Sequence, residues 1–482
     1  MTFTRRLGPA LAQPAHVSAR RPALLIAVLC LSGIMAALVQ TIIIPLIPLL
    51  PTILSTTPSD AAWAVTATLL AGAAIMPIAG RLGDMYGKRR ILVISLAALA
   101  IGSAVCAASS TLVPMTTGRA LQGLAMGIIP IGISIMRDEL PAERFTAAIA
   151  VMSATLGVGG AVGLPVSAII SEYADWHVVF IVVAALALAT LACVLAVVPE
   201  SAVRSGGRFD YVGALGLALA LLALLVPITK SGQWGWASPL TIALLVASLA
   251  LFLGWGWYQM RARNPLVNLR ISARPQVLFT NLASIAVGFG MFGMALIPPQ
   301  VMMAPTDTGY GLGLTMTQTG LLLAPGGLIM LMCSPISARL IDRLGARITL
   351  VAGSTVIGLG YAVVMAVPMS ILQITAANLI VSTGIGISYA SMPSLIMGAV
   401  PNAETAAANS LNSLMRAIGT STSSAVTSAV LAGMTVTVGV LEFPTIGAFR
   451  AAAAISLVAS FAAIAFTLCV PRRPSRAYQP VN

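Results

Sequence analysis

Long apolar runs separated by short polar breaks fill almost the whole chain. They fall at about 23–50, 61–79, 91–110, 112–136, 146–170 and 176–198, then at about 211–229 and 238–258. A second set lies near 276–303, 315–337, 348–368, 371–399, 404–434 and 447–470. The runs are continuous rather than alternating, which favours helices over the strands of a membrane barrel. Each approaches or exceeds the ~20 apolar residues that a helix needs to cross a bilayer core. The pattern predicts an all-α membrane protein of about fourteen transmembrane helices. No break is long enough for a soluble domain.

Composition sharpens this reading. The chain is 58% hydrophobic and 8% charged, with a mean hydropathy of +0.98; soluble domains are about a quarter charged. Its net charge of +13 would suit nucleic acid, but the cations follow the positive-inside pattern instead. With fourteen spans and the N-terminus in the cytoplasm, only Lys230 and Arg450 fall outside, and Arg119 and Arg416 fall within spans. Every other Lys and Arg is cytoplasmic, the basic start with Arg5, Arg6, Arg20 and Arg21 included. Removing one span would send Arg339, Arg343 and Arg347 outside. No nucleic-acid partner is expected, and both termini are placed in the cytoplasm. The six tryptophans, Trp63, Trp176, Trp234, Trp236, Trp255 and Trp257, lie near span ends as an interfacial belt. Cys30, Cys106, Cys193, Cys333 and Cys469 sit inside apolar runs and read as packing residues. Only His16 and His177 are histidines, so no metal site is expected.

Between the second and third runs the chain reads GRLGDMYGKRR, from Gly80 to Arg90. A related loop, ARLIDRLGAR, returns at Ala338–Arg347. Arg81, Asp84, Gly87 and Arg89 recur as Arg339, Asp342, Gly345 and Arg347 at one constant offset, which points to a duplicated polypeptide. The first loop resembles the Gly-x-Leu-x-Asp-x-x-Gly-x-Arg signature of the major facilitator superfamily. From about residue 23 to 470 the layout is similar to its fourteen-helix drug:proton antiporter branch. The resemblance implies a cytoplasmic N-terminus (1–22), a six-helix bundle (23–198), a two-helix insertion (199–270), a second six-helix bundle (271–470) and a cytoplasmic tail (471–482). It further implies a monomeric, multi-pass plasma-membrane protein that is no enzyme and needs no cofactor. Its function would be secondary active export of small amphipathic, drug- or antibiotic-like compounds by alternating access, coupled to protons. A metabolite exporter or importer without proton coupling, and a non-transporting membrane sensor, are the alternatives.

Residue roles follow from the same motifs. Gly80, Asp84, Gly87 and Arg89, with Asp342 and Gly345, are expected to form conformational latches. Asp84 would meet the N-terminus of the thirteenth helix near Asn402–Thr405, where the helix dipole stabilises a carboxylate by about 0.3–1 kcal/mol, or ~2 when partly buried. Arg137 and Asp138 are further partners, and by symmetry Asp342 would face the start of the fifth helix. Gly118-Arg119-Ala120-Leu121-Gln122-Gly123 resembles the family's intramembrane Arg motif. An embedded Arg costs about 2.5–3.5 kcal/mol on insertion scales, so it should face the bundle interior with partners. Arg119 and Gln40 lie at similar depth, roughly 11–12 Å from the outer end of their spans, and are expected to meet. Together with Gln122, Thr41, Arg416 and Asn412 they are the candidate substrate and coupling residues.

Arg416 is placed near the midplane, where it would draw an anionic or strongly accepting group, or else be tied to Asn412 and backbone carbonyls. Gly159, Gly163 and Pro165 lie in a stretch resembling the antiporter glycine-proline motif, allowing close helix approach and bending. One departure matters: Leu38-Val39-Gln40-Thr41 stands where the family usually has Leu-Asp-x-Thr, so Val39 replaces the acid. Proton coupling would then fall to Asp175, His177 or Glu172 at an outer vestibule, or to Asp84.

Overall fold

The computed structural model describes residues 22–472, except 48, 62, 202, 203, 367, 368, 439 and 440. Pro48, the basic start with Arg5, Arg6, Arg20 and Arg21, and Arg473 and Arg476 lie outside the described residues.

The apolar runs become long helices. In chain order they are α1 (Pro22–Thr41), α2 (Trp63–Tyr86), α3 (Lys88–Ala107), α4 (Leu112–Glu139), α5 (Ala142–Tyr173) and α6 (His177–Val197). Next come α7 (Tyr211–Trp234) and α8 (Pro239–Arg261). The last six are α9 (Pro275–Met303), α10 (Met316–Leu344), α11 (Ala346–Ala366), α12 (Ile371–Met397), α13 (Thr405–Gly433) and α14 (Ile446–Leu468). Among the described residues 13 helices are long and apolar enough to cross a membrane. The one long helix outside that set is α13, whose 29 residues include Asn409, Ser410, Asn412, Ser413 and Arg416. These polar residues lower its hydropathy.

Local sequence explains where several helices start. Thr315 with Gln318 and Ser370 with Gln373 form capping boxes at the heads of α10 and α12, each satisfying two otherwise orphaned N–H groups. The duplicated loops both turn at a glycine of positive φ, 116° at Gly87 and 84° at Gly345, a conformation that a side chain would oppose. The simple pattern is broken in several places, two of which stand out. A 3-10 turn at Leu124–Gly127 divides α4, and an antiparallel hairpin, β1 (Thr435–Val438) and β2 (Leu441–Pro444), joins α13 to α14.

One hydrophobic core runs through α1–α6, from Leu25 to Val198, and takes in Ala338 of α10 with Ala390 and Met397 of α12; a second runs from Ala283 to Val470 through α9–α14. Contacts between these two groups run along α2 with α13 and along α5 with α10 and α12. Helix α7 joins α2 and α13 in a third core that includes Leu70, Met76, Leu221 and Leu414. Helix α8 packs mainly on α7, with only 11% of its most apolar stretch buried. Asp210 ties the pair together, accepting from Gly213 N (2.7 Å), Tyr258 Oη (3.0 Å), Gln259 Nε2 (2.9 Å) and Leu266 N (3.3 Å).

Candidate functional site

The loop Gly80–Arg90 carries the densest set of bonds between the two groups of helices. Asp84, fully buried at the end of α2, accepts from Ala406 N (3.2 Å) and Ala407 N (2.8 Å) at the head of α13. Lys88, one turn on and equally buried, places Nζ 3.8 Å from Asp84 Oδ1, 2.6 Å from Asp138 Oδ2 and 3.2 Å from Thr405 Oγ1. Thr405 also meets the Ser134 hydroxyl of α4. Arg137 donates to Met397 O and to Asn402 Oδ1, both at 2.8 Å. Gly80 lets the backbones approach, since a Cβ there would lie 2.6 Å from Ala406 O. At this end of the molecule α2 and α4 are thus bonded directly to the head of α13 and the turn before it.

The linker after α6 lies over the same loop. Ser205 N donates to Asp84 O (2.6 Å), Ser201 bonds Asp138, and Glu200 lies 3.8 Å from Arg90. The motifs alone do not single out Lys88, Thr405, Ser134 or this linker. For Lys88 a signal does exist, a lysine one helical turn after the signature Asp.

The second loop behaves differently. Asp342 is exposed, and its side chain makes no hydrogen bond or ion pair among the described residues. The expected symmetric contact with the start of α5 is thus not formed. The arginines do keep the symmetry: Arg89 donates to Leu195 O at the end of α6, and Arg347 to Thr467 O and Leu468 O at the end of α14.

Arg119 faces the interior of the first bundle at 1% exposure. It donates to Ala64 O (2.9 Å), Val39 O (3.0 Å) and Gln122 Oε1 (2.7 Å), and Gln122 donates on to Ser103 Oγ (2.8 Å). It therefore clamps α1, α2 and α4 together. Gln40 is exposed and is not among its partners; the carbonyl of the preceding residue takes that place. Thr41 donates to Leu38 O (3.1 Å) and Gly159 O (3.3 Å), and a side chain at Gly163 would overlap its hydroxyl. Pro165 lies within α5, near Ser167, which donates to Ile42 O (2.5 Å). Thr41, Gly159 and Gly163 thus form one α1–α5 contact.

Arg416 anchors a polar cluster in the second bundle. Its guanidinium donates to Asn412 Oδ1 (2.6 Å) and Ser413 Oγ (2.8 Å) and lies 5.0 Å from the Tyr389 ring centroid. Asn412 Nδ2 reaches Asn281 Oδ1 (2.9 Å) and Ser284 Oγ (2.7 Å) on α9. Among the described residues no ion pair includes Arg119 or Arg416.

At the opposite end from the loops, Glu172 of α5 accepts from Thr317 of α10 at 3.2 Å. Asp175 bonds both the backbone N–H and the ring of His177, and His177 Nε2 lies 3.1 Å from Ser109 O. The backbone N–H of His177, followed by its ring, holds the Asp175 carboxyl below the usual carboxylate range. Asp175 is therefore ionised near neutral pH.

A family model described as Major Facilitator Superfamily matches residues 29–424. The Multidrug resistance protein Stp of Mycobacterium tuberculosis (strain CDC 1551 / Oshkosh) is 27% identical over 376 residues, 77% of this chain and 68% of that protein. The Tetracenomycin C resistance and export protein of Streptomyces glaucescens is 26% identical over 321 residues, 66% of this chain and 59% of its own length. Across these and similar curated relatives the chain spans between 47% and 70% of the relative's length. In fold it is similar to the human organic anion transporter MFSD10 (TETRAN), with a TM-score of 0.64 at 15% identity, covering 94% of this chain and 100% of that one.

Proposed function

Because the chain belongs to the major facilitator superfamily, we propose that it exports small amphipathic, drug- or antibiotic-like compounds across the membrane by alternating access. It is a multi-pass membrane protein and not an enzyme. One observation carries the reading. The bonds from Asp84, Lys88 and Arg137 to the start of α13 and to the turn before it concentrate the charged contacts between the bundles at one end of a duplicated molecule. Breaking these bonds would open the cytoplasmic end, and remaking them would expose the substrate to the other side. The two related proteins named for multidrug resistance and tetracenomycin export support export as the direction.

Coupling to protons is part of the proposal and would run through the buried Asp84–Lys88–Asp138 set. With Val39 in place of the usual acid and Asp175 held ionised, these loop carboxylates are the acids best placed for the task. A second reading, export without protons, is favoured by the same Val39. Both are tested in proteoliposomes with an imposed pH gradient and a panel of cationic, neutral and anionic drugs. Gradient-dependent flux that is lost in Asp84→Asn supports the coupled reading. Flux indifferent to the gradient leaves the uncoupled one, and absence of any flux favours the sensor.

A further inference from the structure

Helix α13 carries Asn409, Asn412, Ser413 and Arg416 at three- and four-residue spacing, which puts them on one face. That face meets Asn281 and Ser284 of α9 and Tyr389 of α12. It also lies beside the first bundle, because Ser153 of α5 donates to Tyr389 O (3.5 Å). Among the described residues the groups that hydrogen-bond or stack on the Arg416 charge, Asn412, Ser413 and Tyr389, are neutral.

Three observations point to an anion as the ligand of this face. First, Arg416 is buried, at 8% exposure, with no carboxylate paired to it among the described residues. A guanidinium offers five N–H donors, and among the described residues only Asn412 and Ser413 accept from any of them. Embedded charges of this kind are normally paired. Second, Asn412 is held by Asn281 and Ser284 through its amide nitrogen, so its oxygen is aimed at Arg416 and fixes the guanidinium plane. Third, Asn409, at 2% exposure and one turn below Asn412, has neither its amide nitrogen nor its oxygen hydrogen-bonded. Buried polar groups are rarely left so. Arg119 shows the contrast: its charge is equally buried, but backbone carbonyls and Gln122 enclose it within one bundle.

We propose that the exported compound is an amphipathic organic anion whose acidic group binds Arg416 and whose apolar body packs against the Tyr389 face. The guanidinium fork suits a carboxylate, with which it forms two parallel bonds. Tyr389 and Met291, joined through the Tyr389 hydroxyl at 3.0 Å, supply an aromatic face and a soft, adaptable wall. Asn409 provides the second polar contact. The substrate class is thus acidic, in place of the cationic or neutral compounds that export of drugs in general would also admit. This inference rests on the export reading above.

The test compares matched compounds: 2-naphthoate, 2-naphthamide and 2-naphthyltrimethylammonium, with further aromatic triplets of the same three head groups. Flux is measured in proteoliposomes holding wild type, Arg416→Gln, Arg416→Lys or Tyr389→Leu, with thermal melting as the check on folding. The carboxylates are expected to be carried in preference to their amides and ammonium analogues. They should also raise the wild-type melting temperature. Arg416→Gln should lower carboxylate flux on the order of tenfold or more and abolish the melting shift, while Arg416→Lys keeps part of both. Preference for ammonium or neutral members, with Arg416→Gln within twofold of wild type, overturns the anion site and leaves export standing. Absence of flux for every head group, with a folded protein, overturns export and the inference together.

Discussion

Asp84 and Asp342 are the same residue of the same repeat, yet among the described residues only Asp84 is bonded across the bundles. The reason lies four positions on. Lys88 bridges Asp84, Asp138 and Thr405, whereas the second loop has Ala346 at the matching place. A carboxylate at a helix N-terminus with a buried lysine beside it holds an interface, while one without such partners stays in solvent. Neutralising Asp84 removes the charge that the α13 dipole favours, worth about 0.3–1 kcal/mol and up to ~2 when buried. Asp84→Asn is therefore expected to shift the closed population of the loop end by roughly two- to thirty-fold. Asp342→Asn should leave it unchanged. Spin-label distances between the loop ends of α2 and α13 read both. The Asp84 contact is legible in the sequence because the motif, the repeat and the helix start are all written there. The symmetric contact of Asp342 extrapolates from the repeat and passes over the missing lysine. The Arg119–Gln40 contact fails for a different reason: depth along two helices says nothing about rotation, and the bond goes to the Val39 carbonyl.

At the scale of elements, the apolar runs become helices almost directly, since period and length suffice for spans that must satisfy their own backbone. The exceptions are local. The 3-10 turn in α4 falls at Leu124–Gly127, just after Gly123, which lies so close to α2 that a Cβ would stand 2.5 Å from Thr68 O. The hairpin after α13 uses β-branched Thr435-Val436-Thr437-Val438, a strand-like stretch hidden in a break between spans. The α1–α5 contact offers a clean test of the glycine-rich stretch. Gly159 packs on Ala37 and Gly163 on Thr41 with no room for a side chain. Gly163→Val is expected to destabilise the bundle by about 1–3 kcal/mol through overpacking, seen as a lower melting temperature. The companion change Gly254→Ala, on α8 where nothing lies within 4 Å, should not lower it. An equal loss at both sites would mean that α5 glycines serve chain flexibility rather than helix approach.

For the whole molecule, the arrangement of charge bears on what drives transport. Cations lie buried in both bundles at Arg119 and Arg416, while the acids that could answer a proton gradient sit at the loop end with Asp84 and Asp138. If the cargo is an anion held by Arg416, an inside-negative potential itself pushes it outward. Moving one charge through 100 mV is worth about 2.3 kcal/mol, enough for a roughly fifty-fold concentration gradient. Potential and pH gradient are therefore separable forces on this protein. With a potassium diffusion potential, negative on the loading side and at equal pH, 2-naphthoate should move toward the positive side. Reversing the potential should reverse the flux, and 2-naphthamide should not respond. An acid exterior should add to the wild-type flux through inward proton movement, and that increment should vanish in Asp84→Asn while the response to potential remains. Were the increment to survive that substitution, the proton would have to travel by other groups, with Glu172 the first to test because it joins α5 to α10 at the opposite end. Flux of the anion that ignored the potential altogether would mean that its charge is cancelled on the way, and the pairing of an uncompensated Arg416 with the cargo would lose its energetic basis.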